Sequence, residues 1–451
     1  MHFRKRLIAV LLLVLLVASV FVISIMDSDE EGLFSLLQNK KETIYFWYDD
    51  ESTSDYINSA AVIFGEKNNV RVLPRLVSES AYLEAINQAT LQGEEVPDAY
   101  LISNDGLEKA YLAGLAMEIT DDANIVNLEY FPQVAIDAVT YKGKKVAYPL
   151  FFETAALLYN EDYLQEWALQ QARREATEAG TEQDESWLEA RRDEIMLTAV
   201  PDSIDDILSI ADSFDPPETI EGIFSWDVSD IFYNYYFVGN YMLLGGATGD
   251  NKSVIDINNE EVVSCLQIYK GLNEFFYIES DKVSYESVVQ DFIDGKIVFT
   301  IATTDVIKRL EDAKKTGEFA YEYNVSVIPN PGEELQARSL SVTETVVVNG
   351  YSEKQELANR FAAFLVKDYA GEMYERTGRI SACKKVNENH EKIQAYLDGY
   401  AKSVSLPKMI ETGDYWVQLE ILFSKVWNGG NIRALVTEMS ERINTQLTST
   451  E

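Results

Sequence analysis

Glu153 stands between Phe151-Phe152 and an apolar run at residues 155–159. A lone carboxylate in apolar sequence is costly to bury unless donors reach it. That pattern places Glu153 in a cleft, where it accepts hydrogen bonds from a bound molecule. A second chemistry is aromatic. Residues 224–241 hold Trp226, Phe232, Tyr233, Tyr235, Tyr236, Phe237 and Tyr241, closed by Gly245-Gly246. Tyr and Trp join a flat apolar face to a polar edge, which suits stacking on the C–H faces of sugars; a packed helix using Phe232, Tyr236 and Phe237 accounts for part of the stretch. Other chemistries are poorly served. The two histidines, His2 and His390, leave almost nothing for imidazole catalysis or histidine metal sites. Cys265 and Cys383 read as two buried thiols and supply no cysteine metal cluster. Acidic residues abound, but none is paired in a recognisable hydrolytic motif, so no enzymatic activity is expected; no cofactor is expected either, and no metal ligands are assigned, with calcium on the acidic loop 49–51 left open.

These side chains must be positioned by alternating strands and helices. Residues 43–48, TIYFWY, are apolar on both faces, as in a strand covered by helices. A helix follows through Phe64, then a strand at 70–76, an amphipathic helix with Tyr82, Leu83, Ile86 and Ala89 inward, and a strand at 99–103. Helical spacing over 135–141, a turn at 141–144 and a buried strand at 146–150 lead to Glu153. Beyond it, 165–198 reads as a helical hairpin, 260–276 and 285–294 as helices, 297–302 as a buried strand, and 323–328 and 342–348 as strands flanking a proline-containing loop. Helices at 353–367 and from Tyr415 towards Gly429-Gly430 complete the pattern. The alternation defines an α/β fold with mainly parallel strands.

The 451 residues suffice for two or three domains, and 47% hydrophobic content supplies their cores. With 38 Lys and Arg against 75 Asp and Glu, the net charge of −37 repels nucleic-acid backbones, and no basic stripe offsets it. Arg4-Lys5-Arg6 precede an uncharged apolar run at 7–26, which reaches across about 30 Å of hydrocarbon with its basic end in the cytoplasm. Residues 1–31 are therefore expected to be a retained membrane anchor, with a cleaved signal as the alternative, and 32–41 a tether holding the rest outside the cell.

In this order the features resemble the extracellular solute-binding proteins of bacterial ABC importers, in the carbohydrate-binding branch that contains maltose-binding protein. The resemblance spans residues 42–443 and is strongest at FPQVAIDAVTYKGKKVAYPLFFETAALLYNEDYL, continuing in GEEVPDAYLISND, VVQDFIDGKIVFTIAT, NVSVIPNPG and EKQELANRFAAFLVKD. It implies a two-lobe fold with a hinge: one lobe from 41–152 plus 330–375, the other from 153–329 plus 376–451, with the hairpin 165–198 as an insertion. Hinge closure would clamp a neutral, hydroxyl-bearing solute, a sugar or oligosaccharide, and deliver it to a membrane permease. A ligand-sensing domain serving a signalling partner is the alternative, and a surface glycosidase a weaker one.

Carried over by position, the resemblance makes Glu153 the cleft carboxylate, Asn104 and Asp105 polar contacts after the third strand, and Asp50 and Glu51 contacts after the first. Tyr233 and Tyr235 fall in the aromatic wall with Trp226 nearby, and Trp416 falls on a late stacking position. There are departures. Ile102 and the pair Thr304-Asp305 stand where the branch has stacking tryptophans, and Gly378-Arg379-Ile380-Ser381 replaces a Gly-x-x-Pro turn.

Overall fold

The computed structural model describes residues 41–448 apart from 79–80, 94, 122, 181–183 and 388–389. The anchor expected at 1–31, and all of the tether 32–41 but its last residue, lie outside the described residues. No helix among the described residues is long and apolar enough to cross a membrane.

Strand β1 (Thr43–Tyr48) buries Ile44, Phe46, Trp47 and Tyr48, and it pairs in parallel with β2 (Arg71–Leu76) and β3 (Ala99–Ser103). Helix α1 (Ser54–Asn68) makes the β1 to β2 crossover and turns Tyr56, Ile57, Ala60 and Phe64 inward. The element that organises the rest is β4 (Tyr148–Asn160), thirteen residues of continuous strand. The sequence reading ended a strand at Leu150. The chain stays extended through Glu153 because both of its neighbouring stretches find partners, one in each half of the molecule.

The remaining strands are β5 (Gly222–Phe224), β6 (Ile297–Thr303), β7 (Tyr323–Ser326), β8 (Leu340–Val348), β9 (Ile380–Ser381) and β10 (Val404–Ser405), of which β6, β7, β8 and β9 pair with β4 and β10 pairs with β8. Residues from Tyr148 to Thr154 pair antiparallel with β8, which also pairs with β3. From Ala155 onward β4 pairs with β6 and β7, and β5 lies parallel to β6. Strand β9 bonds to Phe151 and Phe152, so the chain after Arg376 returns first to the Tyr148 end of β4. Hydrogen bonding thus runs unbroken in the order β2-β1-β3-β8-β4-β6-β5.

Two apolar cores lie on this frame. One gathers Phe46, Tyr56, Phe361 and Phe364; the other gathers Trp226, Tyr269, Phe423 and Trp427. Helices α2 (Glu161–Glu178) and α3 (Glu185–Met196) form the hairpin, joined by an Arg191–Glu175 ion pair at 2.6 Å, and α3 has no buried residue. The aromatic stretch is not a helix. It makes two single 3-10 turns, the first capped where the Asp230 carboxylate accepts the Phe232 N–H at 2.8 Å. Both cysteines are free and buried.

A further tie between the halves runs through Lys408, whose side chain is buried. Its ammonium donates to the carbonyls of Asp137, at 3.0 Å, and Thr248, while its backbone N–H donates to the Gly249 carbonyl at 2.7 Å. Close by, Asp250 accepts the Lys142 N–H at 2.6 Å, and buried Glu108 accepts from the Tyr141 hydroxyl at 2.9 Å and the Ile410 N–H at 2.7 Å. Burial pulls the Lys408 ammonium down to about 8, against the attraction of Asp250 and Asp137. The native value lies below the unfolded one, so between them the unfolded chain holds more protons and stability rises with pH. Between pH 7.5 and 9.5 the protein should gain on the order of 1 kcal/mol relative to a Lys408→Met variant, which shares its tyrosines. Urea unfolding of both proteins across that range checks this; parallel pH profiles would contradict it.

Candidate functional site

Directly opposed residues of antiparallel strands carry their side chains on one face, and neighbours along a strand alternate. Phe151 opposes Glu344, Glu153 opposes Val342, and Ser103 opposes Glu344, so Phe151, Glu153, Glu344 and Ser103 share a face. Phe152 and Thr343 take the other face. There the Phe152 ring stacks on Tyr400, centroids 3.9 Å apart, and the Thr343 and Tyr400 hydroxyls bond at 2.6 Å. Register alone sends carboxylates to one side and packing to the other.

The loops after β1 and β3 add Asp49, Asp50 and Asp105 to the carboxylate face. Arg379, just before β9, binds the group together. Its guanidinium contacts Glu153 through Nη1 and Asp50 through Nη2, the latter at 3.0 Å, and lies 5.5 Å from the centre of the Phe151 ring. Glu344 has no hydrogen bond or ion pair among the described residues. Part of its surface meets solvent, but protein surrounds most of it; that desolvation, followed by the charges of Asp49, Asp105 and Asp50, raises its carboxyl well above the usual range. Asp49 is raised as well, by desolvation first and then by Asp50. The Tyr82 side chain is 8% exposed, and its hydroxyl, unpartnered among the described residues, feels both Asp49 and Glu344.

Across Glu153, the end of β6 supplies a second group. Thr303 opposes Ala155, two residues beyond Glu153, and the Thr303 hydroxyl donates to Asp305 at 2.5 Å. The Tyr285 hydroxyl donates to the same carboxylate at 2.9 Å, and the Tyr233 ring stacks on Tyr285 at 4.8 Å. Desolvation raises Asp230, assisted by Asp227 and Glu420. Trp416, half-buried, opens helix α4 (Tyr415–Trp427), donates its indole N–H to Glu420 at 2.7 Å and lies 6.1 Å from the Phe232 ring.

The expected contact residues therefore divide. Glu153, Asp50 and Asp105 converge, although Glu153 is held by a guanidinium and Asp50 also caps a turn by accepting the Ser52 N–H at 2.9 Å. Glu51 is exposed in that turn, and Asp105 is exposed while accepting from the Ser103 hydroxyl. Tyr233 is buried at 7% exposure with its ring on Tyr285, and both it and the half-buried Trp416 lie against Phe232. Three residues are corrected to structural positions. Asn104 is fully buried, its carboxamide accepting the Thr343 N–H at 2.8 Å and donating to the Leu406 carbonyl at 3.2 Å. Trp226 is fully buried against Phe224 with its N–H on Asn234 at 2.8 Å. Tyr235 is buried, with its hydroxyl on the Met242 carbonyl at 3.3 Å and the Tyr415 hydroxyl at 3.4 Å. Each polar end has an internal partner, which removes the reason for it to face a ligand.

Glu344, Arg379 and Tyr82 were missed as site residues. Glu344 carried a readable signal, since it is a lone acid inside LSVTETVVV, the same pattern that marked Glu153.

A two-lobed α/β frame in which, among the described residues, one strand is laddered to both sheets, with polar groups gathered where that strand passes from one to the other, is the architecture of two-lobe binding proteins. The sequence pattern of the bacterial extracellular solute-binding proteins matches residues 59–398, and the chain belongs to that family. A maltodextrin-binding protein of Bacillus subtilis (strain 168) is 22% identical over 392 residues, covering 84% of each chain. Among solved structures, the fold is similar to an extracellular solute-binding protein from Staphylococcus aureus in complex with maltose (TM-score 0.72, 17% identity, 92% of this chain and 100% of that one). It is also similar to a cyclo/maltodextrin-binding protein complexed with maltotetraose (TM-score 0.71, 19% identity, 92% and 99%). A maltose-binding periplasmic protein from Listeria monocytogenes in complex with maltose gives a TM-score of 0.69 at 18% identity, covering 91% and 99%.

Glu344 has a consequence for stability. Its native carboxyl titrates above the unfolded value of 4.5, so the native state holds more protons in between and stability falls as pH rises through that window. Glu344→Gln should melt higher than the parent at pH 7, with the gap closing towards pH 4; an equal gap at both values would contradict the assignment.

Proposed function

We propose that this protein captures a sugar or oligosaccharide between its two lobes outside the cell, closes over it by bending at β4, and hands it to the membrane subunits of an ABC importer. The observation that carries the reading is the placement of Glu153 on the one strand shared by both halves, where β4 leaves β8 and joins β6. Asp50, Glu51 and Asp105 approach from one lobe, Tyr233 and Trp416 from the other. Sugar hydroxyls would donate to the carboxylates, which only accept when ionised, and the partly open Trp416 face would stack on a sugar ring. Arg379 fixes Glu153 in one orientation, so less ordering remains to be done when the ligand arrives. The maltose and maltotetraose complexes of the structural relatives support a saccharide as the ligand class. The charged start of the chain and its apolar run at 7–26 support attachment at the outer face of the membrane.

The test is X-ray scattering and calorimetry of the full chain against a panel of neutral and amino oligosaccharides. At least one saccharide should bind and reduce the radius of gyration, and Glu153→Ala should weaken that binding by about tenfold or more, roughly the loss of one charge-assisted hydrogen bond. A panel with no binding, or a Glu153→Ala protein that binds unchanged, rejects the reading.

A further inference from the structure

The same face limits what kind of sugar it can hold. A neutral sugar hydroxyl donates one hydrogen and accepts through two lone pairs, so neutral sugars are best met by a mixture of donors and acceptors. The cleft offers little mixture. Asp49, Asp50, Asp105, Glu153 and Glu344 converge there, and the one cation in contact with them among the described residues, Arg379, is already shared by Glu153 and Asp50. Buried Lys408 adds its charge behind Asp105, but its ammonium is spent on two carbonyls, and the five acidic groups still outnumber the two cations. Across the gap Asp230, Asp305 and Glu420 supply further acids.

Two groups mark where a ligand atom belongs. Among the described residues the Glu344 carboxyl has no partner, and neither has the hydroxyl of Tyr82, a residue more than nine-tenths buried that feels the charge of Glu344. Closing the lobes over a neutral ligand would strip water from these carboxylates and return no positive charge, which is unfavourable for each ion buried. An ammonium group reverses that balance, because it brings three donors, no acceptor and one positive charge.

Resting on the reading that this cleft takes a saccharide, we propose that its ligand is an amino sugar whose free ammonium sits among Glu344, Asp49 and Asp105, with the Tyr82 hydroxyl at its edge. The ring faces and remaining hydroxyls are left to Trp416 and Glu153.

Calorimetry of the full chain at pH 6, with a chelator present, compares four probes: the trimer of glucosamine, its fully N-acetylated counterpart, maltotriose, and spermidine. The glucosamine trimer should bind at least about tenfold tighter than the acetylated trimer and maltotriose, and its advantage should shrink in about 0.5 M salt, where charges are screened within a few ångströms. Glu344→Gln, which is expected to fold at least as stably as the parent, should remove most of that advantage. Neutral trimers that bind as tightly as the amine, or an advantage untouched by salt and by Glu344→Gln, overturn this proposal and leave saccharide capture standing. Spermidine binding as tightly as the glucosamine trimer also overturns it, since charge alone would then be recognised. Failure of every probe overturns the proposal, and failure of the wider saccharide panel overturns the reading beneath it.

Discussion

Asp50 and Glu153 reach the same point from strands far apart in sequence, and two ionised carboxylates brought together without a cation repel each other. Arg379 meets both through separate nitrogens of one planar group, a geometry that lysine cannot reproduce. The rest of the cleft follows from that contact. It places the loop after β1 against β4, draws the segment before β9 onto the same face, and leaves Glu344 outside its reach.

The alternation of side chains along β4 and β8 does the complementary task. A slip of one residue would bury Glu153 and Glu344 against Tyr400 and expose Phe152. The stack of Phe152 on Tyr400, together with the Thr343 to Tyr400 hydroxyl bond, holds the register against that error. Core packing and cleft chemistry are thus opposite faces of one pairing, and a disturbance on the packed face reaches the polar one without touching it.

Much of this frame was legible in the sequence. The strands at 43–48, 71–76, 99–103 and 297–303 carry apolar and β-branched runs, and Glu153 announces itself by interrupting such a run. Other features were hidden for physical reasons. A tyrosine or tryptophan has the same composition whether it lines a cleft or fills a core, so Trp226 and Tyr235 were indistinguishable from Tyr233 until their hydrogen-bond partners were known. Asn104 sits beside an exposed acid in the chain but points its amide into the fold. Arg379 lies 226 positions from Glu153, and nothing local to either predicts the contact. The aromatic turns at 231–237 defeated a helical reading because the Asp230 carboxylate caps the first turn and the Asn234 carboxamide donates back to the Asp230 carbonyl.

The thirteen-residue β4 is also a mechanical element. A loop between two bodies swings freely, whereas a strand laddered on both sides of the crossing yields only by twisting over the few peptides near Thr154 and Ala155. Any relative movement of the two halves that kept both ladders intact would therefore have to be absorbed as twist at those few peptides. Both ladders share the backbone of β4, so the pairing of one half is continuous with that of the other.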